Sequence, residues 1–335
     1  MPLKPNQDWT GKRVVVTGAG GFIGSHLTER LVTLGASTAA FLRYNSRADI
    51  GLIRECPSDV RGQVRVVWGD LRDPDSVRRA FDRADVVFHL GALVGIPYSY
   101  ESPRQYVDAN VLGTLNVLEA VRTAEVGRLV HTSTSEVYGT PIYTPIDEKH
   151  QLQGQSPYAA TKIGADKLAE SYWRTFSLPV ATLRPFNTFG PRQSSRAILP
   201  TIIRQALKDS TIRLGSLAPI RDMNYVADTV DGFLRIARCD AAIGRVVNIG
   251  SGRGQTVGSM VDGVSKALGK KLDVVADPDR VRPPNSEVEE LIADATLALE
   301  LFGWRSATTF ENGLEATIEY FSHKSADHDP AKYTV

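Results

Sequence analysis

Cysteine is scarce: the 335 residues hold two, Cys56 and Cys239, far apart and in no C-x-x-C pair. A disulfide framework and a cysteine-rich zinc site are therefore excluded, and a reducing compartment is expected. No His/Cys cluster has ligand spacing, so no metal is expected. An excess of charge of one sign is missing too: Lys+Arg 39 against Asp+Glu 38 leaves +1. No global field draws the chain to nucleic acid or to an anionic membrane, and any anion must be captured locally. No uninterrupted apolar run reaches the roughly 18 residues of a membrane span, and Met1–Asp8 carries no apolar signal segment. These absences predict a cytoplasmic protein with neither nucleic acid nor membrane as partner. What is present is ordinary for a soluble globular chain, 42% hydrophobic and 23% charged, with length for about two domains.

The first half alternates short β-branched runs with helical spacing, the rhythm of β-α-β units around a parallel sheet. The runs Arg13–Thr17, Thr38–Arg43, Val64–Trp68, Val86–Leu90, Leu129–Thr132 and Val180–Leu183 are apolar throughout, as strands buried on both faces should be, and Val246–Ile249 returns as a seventh. Helical patterns cover Ser25–Leu34, Asp73–Phe81, Tyr106–Thr123 and Pro157–Trp173; in the third, Val107, Val111, Leu115, Leu118 and Val121 recur at helical spacing. After Pro185, Gly, Pro and Arg become frequent and the alternation stops. Shorter helices are expected at Leu199–Lys208, Val257–Leu268 and Phe310–Tyr320, and the polar end from Ser322 is expected to fray. The predicted class is α/β: a doubly wound parallel sheet with a smaller, irregular C-terminal domain. The two interleave, residues 10–185 and about 223–250 in the sheet domain, 186–222 and 251–322 in the second, and 323–335 as a tail.

The strand Arg13–Thr17 runs straight into Gly18-Ala19-Gly20-Gly21-Phe22-Ile23-Gly24 and then a helix. Glycine allows the tight turn and the close approach of a pyrophosphate, and the helix N-terminus offers free N–H groups and partial positive charge. A glycine pattern alone is weak evidence, because any tight strand-to-helix turn holds glycines. At a first strand it points to a bound dinucleotide and a Rossmann sheet. The ribose 2′ position is read at the end of the second strand, by an acid for NAD or an Arg for NADP. Here Phe41-Leu42-Arg43-Tyr44-Asn45-Ser46-Arg47 has no acid. Arg43, Ser46 and Arg47 form a phosphate clamp that favours NADP(H), whereas an Arg43 stacked on adenine would serve NAD equally. Asp70, in Trp68-Gly69-Asp70-Leu71, is placed to bond the adenine amine, to cap the helix Asp73–Phe81, or both.

Tyr158-Ala159-Ala160-Thr161-Lys162 sets a phenol and an ammonium at i and i+4 on one helix face. A free Tyr titrates near pKa ~10; a neighbouring Lys and an oxidised nicotinamide both favour the phenolate and make it a base. The pair alone is common on helices, and it gains meaning beside the glycine loop. The fifth strand adds Thr132-Ser133-Thr134-Ser135-Glu136-Val137-Tyr138-Gly139 at its C-terminal end, where ligands bind in open parallel sheets. With the backbone extended, Thr134 and Glu136 point the same way, a hydroxyl and a carboxylate facing one sugar ring. His131, inside the strand, reads as a core residue.

Together these residues resemble the extended short-chain dehydrogenase/reductase family, over essentially the whole chain from Gly18 to about Arg282. Within it the Thr134-Ser135-Glu136 step is similar to the nucleotide-sugar 4,6-dehydratases. Leu42-Arg43-Tyr44-Asn45-Ser46-Arg47, Gly95-Ile96-Pro97-Tyr98-Ser99-Tyr100, Gly154-Gln155-Ser156-Pro157-Tyr158 and Pro185-Phe186-Asn187-Thr188-Phe189-Gly190-Pro191-Arg192-Gln193 resemble the N-acetylhexosamine 4,6-dehydratases of legionaminic acid-type pathways. The resemblance implies that Tyr158, with Thr134, removes the O4 proton of an NDP-N-acetylglucosamine while hydride leaves C4. Glu136 then takes the C5 proton, water leaves C6, and hydride returns there. Many relatives carry Asp between the Thr and the Glu to protonate the leaving hydroxyl; with Ser135 there, either Glu136 is both base and acid or a water relayed by Ser135 donates. Asn110 matches the family's supporting Asn and would fix the Lys162 neighbourhood through water. Cofactor contacts are implied at Gly18, Gly21, Phe22, Ile23, Gly24, Arg43, Ser46, Arg47, Asp70, Leu71, Leu90, Ala92, Tyr158, Lys162 and Pro185. Asn187, Arg192, Arg196, Arg221, Tyr225 and Arg282 are implied to hold the nucleoside-diphosphate sugar, Arg binding a diphosphate bidentately; for each arginine a plain salt bridge is the alternative. Helices Tyr106–Thr123 and Pro157–Trp173 would pair with a second copy in a four-helix homodimer. A UDP-glucuronate decarboxylase, an NDP-sugar 4-epimerase and a non-catalytic NADP-binding sensor are the competing readings.

Overall fold

The computed structural model describes residues 9–324; residues 1–8 and 325–335, with most of the expected tail, lie outside the described residues. All seven apolar runs become strands of one parallel sheet, their ends shifted by at most two residues. The order is Val246–Ile249, Val180–Pro185, Arg128–Thr132, Val86–His89, Arg13–Thr17, Ser37–Arg43, Arg65–Gly69. The chain winds outward in one direction from Arg13–Thr17 and in the other from Val86–His89, so the strand order reverses between these neighbours. That reversal opens a crevice at the carboxyl ends of the two strands, where such sheets bind ligands.

Apolar side chains cover both sheet faces. Leu27 and Leu31 of the helix Phe22–Thr33 join Phe233 and Leu234 of Val226–Ile236 on one side. Phe81 of Pro74–Phe81, Val117 and Val121 of Gly113–Thr123, and Ala169 of Pro157–Phe176 cover the other. Ala298 and Trp304 also pack into the first layer, so the segment around the helix Thr296–Phe302 rejoins the sheet although the sequence grouped it with the second unit. A separate core of Ile202, Ile203, Met260, Val264, Leu314 and Phe321 unites the helices Ile198–Lys208, Val257–Leu268 and Phe310–Ser322.

Several helices depart from expectation, among them the one expected at Pro157–Trp173, which runs on to Phe176. The first starts at Phe22, not Ser25, because the Gly21 carbonyl already accepts from the Ser25 N–H at 2.9 Å. The expected helix Tyr106–Thr123 is a rod in three parts, Pro103–Tyr106, a π turn Val107–Leu112, and Gly113–Thr123. The last helix runs to Ser322, two residues beyond the expected Tyr320, and its end is tied down where Glu55 accepts from the Tyr320 hydroxyl at 2.6 Å and pairs with Lys324 at 3.2 Å. Among the described residues no helix is long and apolar enough to cross a membrane.

Candidate active site

The glycine loop sits at the sheet's reversal point, pressed against the exit of the strand Val86–His89. A Cβ on Gly18 (φ 71°) would stand 2.8 Å from the Gly91 nitrogen, and one on Gly24 would stand 2.2 Å from the Gly18 carbonyl oxygen. Neither position admits a side chain. The helix behind the loop begins at Phe22 with no side-chain cap, so the N–H groups of its first turn, Phe22, Ile23 and Gly24, face outward without an intrahelical partner. This cradle of N–H donors fits a dinucleotide pyrophosphate. Leu90 and Ala92 flank Gly91 at the same crevice, and Leu71 packs there against the backbone of Gly91 and Gly113. Pro185 ends the strand two places further along the sheet.

At the end of the second strand, Arg43, Ser46 and Arg47 are exposed on a loop organised by Asn45. The Asn45 Oδ1 accepts from the N–H groups of Arg47 (3.2 Å) and Asp49 (2.9 Å), and its Nδ2 donates to the Asp49 carbonyl at 3.0 Å. Asp70 does not cap the following helix; Asp73 does, accepting from the N–H groups of Asp75 and Ser76. Asp70 instead accepts from Arg72 at 2.6 and 2.9 Å and lies 4.0 Å from Arg43. Arg72 holds its carboxyl below the ordinary aspartate value, against a smaller opposing effect of burial.

Tyr158 and Lys162 are buried together on the helix that Ser156 caps. The Lys162 Nζ donates to the Thr132 carbonyl at 2.6 Å. Burial pushes the Lys162 ammonium down to about 8, opposed by the carboxylate of Asp166. The phenol of Tyr158 moves upward, contrary to the expected activation: burial raises it most, the Thr134 hydroxyl draws it down, and Glu136 and Tyr106 add to the rise. In the protein alone, desolvation and the nearby charges of Glu136 and Asp166 outweigh the pull of the Thr134 hydroxyl.

Thr134, two residues beyond the end of the strand Arg128–Thr132, keeps an extended backbone (φ −158°, ψ 152°), and Ser135–Tyr138 curl into a 3-10 turn. The shared direction expected of Thr134 and Glu136 in extended backbone therefore does not arise. The turn, capped by the Thr134 hydroxyl accepting from the Glu136 N–H at 3.3 Å, sets the half-buried Glu136 carboxylate where its charge acts on Tyr158. Ser135 is buried beneath it. Asn110, in the π turn, donates its amide to Thr161 Oγ1 at 3.1 Å and clasps the backbone of Leu93 at 2.8 and 3.0 Å. It braces the residue beside Lys162 directly. Sequence reading passed over Tyr106, whose ring meets Tyr158 edge-on at 6.3 Å and whose hydroxyl donates to the Gly95 carbonyl.

The residues assigned to the substrate divide. The Asn187 Oδ1 is buried with no partner among the described residues, an acceptor suited to a hydroxyl or N–H of a ligand. Arg221 donates to Glu287 at 2.9 Å and Arg282 to the same oxygen at 3.4 Å, so two guanidiniums converge on one carboxylate. Next to them Ser286 donates to the Gln155 carbonyl and meets the Tyr100 hydroxyl, both at 2.7 Å, tying three sequence-distant segments into one wall. Arg196 is exposed, and its charge acts on Tyr106. Arg192 is paired with Glu29 at 2.6 Å and donates to the Glu55 carbonyl at 3.4 Å, pinning the first helix to the turn Gly51–Glu55. Tyr225 packs its ring on Phe189, centroids 5.7 Å apart, as part of the apolar interior. His131 is a core residue, as read from sequence, bonded at 3.1 Å to Asp166. Asp166 was missed; a signal for it was its place four residues beyond Lys162, one further turn along the same helix face.

A Rossmann sheet whose reversal point holds a glycine cradle, with a Tyr-Lys pair and a Ser/Thr-rich strand end beside it, defines the extended short-chain dehydrogenase/reductase class. Residues 15–317 match the family model described as GDP-mannose 4,6 dehydratase, and the chain belongs to that family of nucleotide-sugar dehydratases and epimerases. It is 33% identical over 317 residues to the low-salt glycan biosynthesis protein Agl12 of Haloferax volcanii, covering 92% of this chain and 98% of that one. To a UDP-glucose 4-epimerase of Mycolicibacterium smegmatis it is 31% identical over 320 residues, 93% of this chain and 99% of the relative. The solved dTDP-glucose 4,6-dehydratase DesIV of Streptomyces venezuelae, with NAD bound, superposes with a TM-score of 0.81 at 28% identity, covering 92% and 97% of the two chains.

Proposed function

We propose that the chain is an NAD(P)-dependent nucleotide-sugar 4,6-dehydratase acting on an NDP-N-acetylglucosamine. The observation that carries this reading is the Glu136 carboxylate, delivered by the 3-10 turn to the Tyr158 phenol. A 4-epimerase has no use for a second base at that point. NAD(P), when bound, supplies the hydride acceptor for sugar C4 and the donor for C6. Tyr158, hydrogen-bonded through Thr134, takes the O4 proton, and the Lys162 ammonium stabilises the phenolate. A 4-ketone acidifies C5–H, and Glu136 removes that proton. The protonated Glu136 then gives it to the departing C6 hydroxyl, so water leaves; hydride returned to C6 and a proton taken from solvent at C5, through Glu136, complete the 4-keto-6-deoxy sugar.

Arg221 and Arg282 are the proposed diphosphate ligands, exchanging their shared Glu287 for the substrate's charge, with Arg196 and Asn187 nearer the sugar. Arg43, Ser46 and Arg47 suit a 2′-phosphate and so NADP(H). The exposed apolar side chains Val107, Leu112 and Phe176 support pairing of the two long helical rods with a second copy.

Glu136→Gln tests the central residue. C4 oxidation should persist, seen as absorbance of reduced nicotinamide, while 4-keto-6-deoxy product falls by about 10²-fold or more, the usual loss on removing a general base. Normal product formation in the folded variant overturns the assignment.

A further inference from the structure

Beneath the proposed catalytic residues lies a buried polar cluster that the mechanism above does not use. Asp166 is 5% exposed, and its carboxylate accepts from Ser133 Oγ at 2.6 Å, from His131 Nε2 at 3.1 Å, and from Arg184 Nη2 and Nε at 2.7 and 3.2 Å. Arg184, 3% exposed, also donates to the Tyr138 hydroxyl at 2.9 Å. Ser133 immediately precedes Thr134, and Tyr138 closes the turn that carries Glu136. Both ends of the catalytic segment are therefore fastened to one ion pair, and the acid of that pair stands one helical turn from Lys162.

We propose that Asp166 is a positioning residue for this chemistry: its carboxylate supplies the fixed negative charge behind Lys162 and clamps the segment from which Thr134 and Glu136 project. The inference rests on the catalytic reading of Lys162 given above. Burying an isolated ion pair gives little net stability, because desolvation offsets the attraction. A role for its field is the more economical account of why four donors converge on it.

The surroundings of Lys162 leave Asp166 as the charge that favours its protonated form. On the same helix stand Tyr158 and Asp166. The strand Arg128–Thr132 presents His131, and the strand Val86–His89 presents His89; burial holds both imidazoles below the ordinary value and hence neutral at neutral pH. The strand Val180–Pro185 presents Arg184, already engaged with Asp166. The charge of Glu136 acts on Tyr158, as does that of Asp166, each raising its phenol. Burial opposes the lysine's charge and Asp166 restores part of it.

The test follows the Lys162 side chain itself, in full-length protein carrying ε-13C lysine, with the signal assigned by its loss in Lys162→Arg. In Asp166→Asn the pH midpoint of that signal should drop by about one pH unit or more. Asn leaves Arg184 buried without its partner, so Asp166→Asn is also paired with Arg184→Gln, which removes both charges and should show a drop in the same direction, smaller by the part of the Asp166 field that Arg184 offsets. Asp166→Glu, which keeps the charge, should keep the midpoint at the wild-type value. A midpoint unchanged in either folded variant overturns the proposal. This readout needs no turnover, so it stands apart from the dehydratase reading; if that reading holds, the alkaline fall of kcat moves with the midpoint while KM stays fixed.

Discussion

Arg43 and Arg192 carry the same group into different surroundings. The Arg192 side chain is 10% exposed and its charge is committed to Glu29, which a ligand would have to displace from a half-buried pair. Arg43 is 77% exposed, and the acid nearest it, at 4.0 Å, is already bound to Arg72. Charge at Arg43 and Arg47 is thus available to an incoming phosphate. Replacing both by Ala should weaken NADPH binding about 10-fold or more, the loss of a charge-assisted contact, while NADH binding changes by less than about twofold. Fluorescence titration of each cofactor checks this, and equal losses for the two contradict a 2′-phosphate clamp. The sequence made Arg43 and Arg192 equally eligible as anion ligands. What separates them is Glu29, 163 positions from Arg192, a pairing that only the folded chain creates.

Among the elements, the strands were legible because burial on both faces demands unbroken β-branched runs, and all seven stand where those runs lie. The glycine loop was legible for a similar reason, since close backbone contact at Gly18 and Gly24 excludes any other residue. Irregular turns were not. The π turn Val107–Leu112 and the 3-10 turn Ser135–Tyr138 have no hydrophobic period of their own. They form where Asn110 reaches Leu93 and Thr161, and where Tyr138 reaches Arg184. Both unread turns carry residues of the site, in keeping with the concentration of irregular helix at functional positions. The π turn also leaves Val107 and Leu112 nearly half exposed, at 45% and 47%. If two copies pair through these helices, Leu112→Glu places like charges near the symmetry axis and should turn a dimer into a monomer by light scattering. A wild-type chain already monomeric at micromolar concentration contradicts the pairing.

At the scale of the whole molecule, a net charge of +1 masks a strongly patterned interior and surface. One cationic group, Arg43 with Arg47, lies exposed at the end of the second strand, and another, Arg221 with Arg282, meets Glu287. The glycine cradle lies at the sheet's carboxyl edge, and Lys162 reaches the Thr132 carbonyl at the carboxyl end of the strand Arg128–Thr132. Fold and membership of the nucleotide-sugar family leave open which reaction the cleft performs, because epimerases and dehydratases share this frame. The most direct measurement is NMR of the products formed in D2O from UDP-N-acetylglucosamine, its GDP counterpart, UDP-glucose and UDP-glucuronate. The account predicts a new C6 methyl with deuterium at C5, from an N-acetylglucosamine nucleotide. Release of CO2 from UDP-glucuronate, inversion at C4 with C6 intact, or no turnover of any of the four would contradict it.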